Sequence, residues 1–101
     1  MKNSDFVITT TAEAKPGKEI KVRQALCDVA KAARAQSGCI EYTVLRSAEN
    51  PAITVNFERW VSKAKRDIFL AGADVKEFAS AVSVAFVESP QPIPYEILAE
   101  A

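Results

Sequence analysis

Asn56, Glu58 and Trp60 are the residues of this 101-residue chain whose types and spacing could do chemistry. They alternate along Thr54-Val55-Asn56-Phe57-Glu58-Arg59-Trp60. The run reads as a strand. A period of two turns Thr54, Asn56, Glu58 and Trp60 to one face, and Val55, Phe57 and Arg59 to the other. A carboxamide four residues ahead of the only Trp, on one strand face, is unusual for a plain core. The amide could hydrogen-bond a substrate oxygen as it gains charge, and the indole could stack on a flat molecule and exclude water. Both are expected to be catalytic. Tyr42, Glu58, Phe69 and Phe78 are expected to bind substrate. Tyr42 could donate its phenolic O–H, with a core tyrosine as the simpler alternative. Glu58 could act as a base if desolvation raised its pKa, with a solvated or Arg-paired carboxylate as the alternative. Phe69 and Phe78 could line an apolar pocket or fill the core.

The bulk composition narrows the function classes. The length predicts one domain over residues 1–101. Lys+Arg and Asp+Glu are 13 each, for a net charge of zero. Nucleic acid rewards a basic stripe, and anionic membranes reward a polybasic cluster; neither partner is expected. No apolar run is long enough to span a bilayer, and Met1-Lys2-Asn3-Ser4-Asp5 lacks a signal peptide's apolar centre, so the cytoplasm is the expected location. There is no histidine. That removes the usual general base near neutral pH and the usual haem or zinc ligand. Cys27 and Cys39 form no CxxC pair and read as free thiols. No metal site is expected.

The elements that must position these residues follow from pattern and punctuation. Phe6–Glu13 is rich in β-branched residues and reads as a strand ended by Lys15-Pro16-Gly17. Residues 18–36 read as a helix with Val22, Ala25, Leu26, Val29 and Ala33 on one stripe, closed by Gly38 as its cap. Residues 39–47 and 52–60 read as strands joined through Ala48-Glu49-Asn50-Pro51, a hairpin. Ser62 is placed to cap a short helix that Gly72 interrupts. Asp74 is placed to cap the next, with Glu77 as its capping-box partner. The stripe Val75, Phe78, Ala79, Val82 and Phe86 predicts that helix through Phe86, although Val84 and Val87 fall off it. Residues 93–98 read as a last strand that Pro94 restricts to an edge or to the start of pairing.

The order β-α-β-β-α(α)-β predicts an α+β, ferredoxin-like fold, with a four-stranded antiparallel sheet carrying its helices on one face. Strand positions on both faces are rich in apolar residues, among them Val7, Ile8, Ile40, Tyr42, Val44 and Leu45. A sheet with one wetted face would be more polar there. A homodimer packed through the sheet is therefore expected.

Three runs carry a resemblance: Ala14-Lys15-Pro16-Gly17-Lys18-Glu19, Ser37-Gly38-Cys39-Ile40-Glu41-Tyr42 and Asn56-Phe57-Glu58-Arg59-Trp60. In order and spacing the chain resembles antibiotic biosynthesis monooxygenase domains, from about Phe6 to Leu98. The resemblance implies a dimeric α/β barrel. It implies oxygenase chemistry on polycyclic phenols or quinols without metal, flavin or haem, so no cofactor is expected. It also implies that Asn56 and Trp60 line the substrate cleft. Many members carry a histidine-containing motif between the second and third helices. The matching segment here is Phe69-Leu70-Ala71-Gly72-Ala73-Asp74-Val75, with Phe69 and Asp74 at the histidine positions. The haem-degrading and isomerase branches rely on histidine and are disfavoured. The expected function is a cofactor-independent monooxygenase of an aromatic or quinol-like small molecule. The alternative is a non-catalytic dimeric small-ligand-binding or stress-response module.

Overall fold

The structure is a computed structural model and describes residues 5–100. Strands β1 (Phe6–Glu13), β2 (Cys39–Arg46), β3 (Ile53–Trp60) and β4 (Gln91–Tyr95) form one antiparallel sheet in the order β2-β3-β1-β4. Helices α1 (Glu19–Arg34), α2 (Lys63–Leu70) and α3 (Ala73–Val82) complete a ferredoxin-like α+β fold.

The register aligns the chemically interesting positions across the sheet. Thr10 of β1 and Val44 of β2 both pair with Asn56 of β3, while Ile8 and Tyr42 both pair with Glu58. Directly paired residues share a face. Phe6, Ile8, Thr10 and Ala12 therefore lie with Thr54, Asn56, Glu58 and Trp60, beneath the helices. Two clusters fill that side. One joins Ala12, Ala14, Val22, Val82, Ala85 and Phe86; the other joins Ala30, Ala33, Tyr42, Trp60 and Phe69. The α1 stripe supplies Val22 and Ala33 to these clusters, and its small residues let the helix sit close to the sheet.

On the opposite face Arg59 pairs with Asp5 at 2.7 Å and with Glu100 at 3.1 Å. Leu45, Ile93 and Tyr95 belong to that face by register, and each has about half its surface exposed (51–53%).

Local signals set most boundaries. Ser62 caps α2 as expected: its Oγ accepts the Lys65 backbone N–H at 3.2 Å. Gly17 has a φ of 83° and turns the chain from β1 into α1. Four expectations are corrected. Gly38 does not cap α1. The helix ends at Arg34 with Ala35 as its cap, and Gly38 is needed because Lys65 of α2 crosses it: a Cβ there would meet the Lys65 Cβ at 2.5 Å. Asp74 does not cap α3; Gly72 holds that position, and Asp74 sits in the first turn, where a carboxylate favours the helix dipole. The last helix stops at Val82 rather than continuing to Phe86. A tight turn, Ser83–Ala85, follows, and Phe86 is extended and bridged to Ala14. Backbone bonds from Lys15 N–H to Ala85 O and from Val87 N–H to Glu13 O, both 2.8 Å, replace the helical ones. Ala85 and Phe86 are buried as a result. The last strand also lies earlier than expected, at Gln91–Tyr95. It is an edge strand, and Pro92 and Pro94 are tolerated there.

Candidate active site

A cavity of about 480 Å³ lies between the sheet and the helices. Its polar residues from the sheet are Thr10, Tyr42, Asn56 and Glu58; Leu26 and Val29 of α1 and Val75 and Phe78 of α3 are among its apolar ones. Phe86, Pro90 and Pro92 also contribute, so the departure from helix after Val82 brings a loop to the rim. The volume falls within the usual range for small-molecule sites.

The polar row is tightly connected. Trp60 Nε1 donates to Glu58 Oε1 at 3.0 Å. Arg66 of α2 donates from Nε to Glu58 Oε1 at 2.8 Å and from Nη2 to Glu58 Oε2 at 3.3 Å. The side chains of the pair are 13% and 3% exposed. A carboxylate this deep needs such partners, because an unpaired one would cost several kcal/mol. Val61 and Ser62 alone connect β3 to α2, so the helix folds straight back over its strand and brings Arg66 above Glu58.

Asn56 Nδ2 donates to the Tyr42 hydroxyl at 3.4 Å, a long bond, and Asn56 Oδ1 is buried with no partner among the described residues. Burial, reinforced by the Glu58 carboxylate, pushes the Tyr42 pKa upward; Arg66 and the Asn56 bond oppose this. Tyr42 therefore stays protonated, and its hydroxyl proton is not given to any described residue. Arg34 of α1 fixes the same residue from outside: Nε and Nη2 donate to the Tyr42 carbonyl at 3.0 and 2.7 Å. Burial and Glu58 also push the Cys39 thiol up. Cys39 and Cys27 are both free. Among the described residues no three His, Cys, Asp or Glu side chains gather as a metal site.

The structure brings together Asn56, Glu58, Tyr42 and Phe78, all on the cavity wall. Trp60 and Phe69 are elsewhere. Trp60 is fully buried beneath the site, with its ring centroid 5.5 Å from that of Phe69, and neither lines the cavity. Phe69 borders a separate groove of about 270 Å³ with Ala32, Gln36 and Ile68. Arg66 was not singled out from sequence. Its signal was a base placed one short turn after an inward-facing glutamate.

The family model for antibiotic biosynthesis monooxygenase matches residues 5–81. The chain matches no curated protein. Solved structures share its fold. A protein from Mycobacterium tuberculosis, Rv0793, is 21% identical, with 97% of this chain and 99% of that one covered and a TM-score of 0.88. PA3566 from Pseudomonas aeruginosa is 19% identical over 95% and 96% of the two chains, with a TM-score of 0.86. A conserved protein from Methanosarcina mazei is 20% identical over 92% of each, with a TM-score of 0.85. No helix among the described residues is long and apolar enough to cross a membrane. With the family pattern extending over most of its length, the chain belongs to the antibiotic biosynthesis monooxygenase family.

Proposed function

We propose that the chain is a cofactor-independent monooxygenase of a planar phenol or quinol. The observation that carries this reading is a buried, unpartnered acceptor, Asn56 Oδ1, on a residue of the cavity wall. A ligand hydroxyl that donates to it removes a desolvation cost of about 1–3 kcal/mol. Tyr42, held protonated, donates to the substrate oxygen that gains charge as the phenol ionises. The ionised ring passes electrons to dioxygen; one oxygen atom enters the ring as a new carbonyl and the other leaves as water. The substrate supplies all the electrons and its own acidity, so the absence of histidine is no obstacle. Trp60 acts from beneath the floor, holding Glu58, rather than as a wall against the substrate.

The molecule works as a homodimer packed through the open sheet face, where Leu45, Ile93 and Tyr95 offer apolar surface. Its free thiols suit the reducing cytoplasm.

Oxygen uptake with a panel of reduced anthraquinols and naphthoquinols tests the reading. The expected result is uptake above the spontaneous rate, lowered at least tenfold by Asn56→Ala. Equal rates for the two proteins would remove the role given to Asn56.

A second reading, a non-catalytic module that holds a small aromatic ligand, draws on the same cavity. It is favoured by one observation: the cavity's buried carboxylate is already occupied by Arg66 and Trp60, and the other carboxylate of its lining, Glu88, is exposed. An aromatic compound retained by the purified protein, with no oxygen uptake, would decide for it.

A further inference from the structure

Arg66 has no part in the reaction proposed above, yet it lines the cavity. Its Nε and Nη2 are engaged by Glu58, which uses one edge of the guanidinium. Nη1 makes no hydrogen bond to any described residue. The side chain is 13% exposed, and Nη1 is not among the buried atoms left without a partner, so it faces water that a ligand would displace. Arginine's planar fork can serve two partners at once in fixed directions.

Charge decides what the second partner can be. The charged side chains lining the cavity are Glu58, Glu88 and Arg66. Arg66 is already matched by Glu58. An arriving carboxylate would add a second negative charge among apolar walls, where an unmatched charge is costly. An uncharged acceptor oxygen takes the same N–H bonds without that penalty.

We infer that Arg66 is the specificity-determining residue of this cavity: the guanidinium edge not held by Glu58 receives an uncharged acceptor oxygen, so the site selects neutral aryl ketones over aryl carboxylates. The inference rests on the cavity being a ligand site, as proposed above, but it does not require turnover.

Calorimetric binding of α-tetralone, tetralin and α-naphthoate to the wild type and to Arg66→Lys tests it. Lysine keeps the positive charge beside Glu58 but cannot present a second planar edge. The wild type is expected to bind α-tetralone about tenfold more tightly than tetralin, as suits one hydrogen bond to a charged donor, and α-naphthoate more weakly than either. In Arg66→Lys the ratio of tetralone to tetralin affinity should fall to near one. A ratio unchanged by the substitution, or wild-type preference for α-naphthoate, would overturn the assignment while leaving the cavity a ligand site. Binding of none of the three would overturn both. Nitrogen-detected NMR of the wild type is independent of whether the variant folds. The Arg66 guanidinium resonances should move with α-tetralone and not with tetralin; no difference between the two overturns the inference.

Discussion

Trp60 Nε1 is hydrogen-bonded at 3.0 Å to Oε1 of Glu58, two residues back on the same strand face. The indole is fully buried and stacks at a tilt on Phe69. The strand therefore carries its own support for the carboxylate. Trp60→Phe keeps most of the ring packing and deletes the N–H. It should destabilise the fold by about 1.5–3 kcal/mol, the range for a hydrogen bond to a charged group. Trp60→Ala should cost about 3–5 kcal/mol through the cavity it leaves. Urea unfolding midpoints check both; a loss near zero for Trp60→Phe beside a large one for Trp60→Ala would mean that packing, not the N–H, carries the effect.

The Glu58–Arg66 pair spans β3 and α2 with little exposure on either side. Replacing one partner leaves a buried charge, so Glu58→Gln should destabilise by about 3 kcal/mol or more. Glu58→Leu combined with Arg66→Met removes both charges and should recover most of that loss. A double-mutant cycle on unfolding free energies measures the coupling, expected above about 1 kcal/mol.

Tyr42 gives a pH dependence whose sign follows from its burial. Its folded pKa is raised above the ordinary 10.0, chiefly by burial, while the unfolded chain titrates near that value. Below pH 10 both states are protonated and the stabilisation from the buried neutral phenol is fully present. Above it the unfolded state releases its proton first, so stability falls as pH rises towards the folded pKa, by up to about 1.4 kcal/mol per pH unit. Tyr42→Phe should lack this component. Unfolding free energies of the two proteins should run parallel below pH 10 and diverge above it; parallel curves throughout would refute the claim.

Gly17 and Gly38 should respond differently to alanine. Gly17→Ala meets no atom within 4 Å, but its φ of 83° is unfavourable for a side chain, and about 1 kcal/mol is expected. Gly38→Ala drives a Cβ against the Lys65 side chain and forces α2 to shift, at about 1–3 kcal/mol. Because α2 carries Arg66, Gly38→Ala should also weaken ligand binding, whereas Gly17→Ala should not.

The proposed dimer is tested on the open sheet face. Sedimentation should give twice the 11.0 kDa chain mass. Leu45→Glu or Ile93→Lys, at half-exposed positions on that face, should move the equilibrium towards the monomer. A monomeric wild type at micromolar concentration would refute the sheet-packed arrangement.

Periodicity by itself determined the strand face that holds Asn56, Glu58 and Trp60, the apolar stripe of α1 and the Ser62 cap, because each depends on residues close together along the chain. The element order was likewise enough for the ferredoxin-like topology. The tertiary structure decided what depends on distant partners. Phe86 left its helical stripe as its neighbours, the Ala85 carbonyl and the Val87 N–H, bonded to Lys15 and Glu13 at the end of β1. Gly38 was needed for the passage of Lys65 rather than for ending a helix. Trp60 lies below the cavity instead of on its wall, because α2 closes over it and places Phe69 against the indole. Arg66 became part of the site for the same reason: a short connection from β3 set it above a carboxylate that could not remain buried alone.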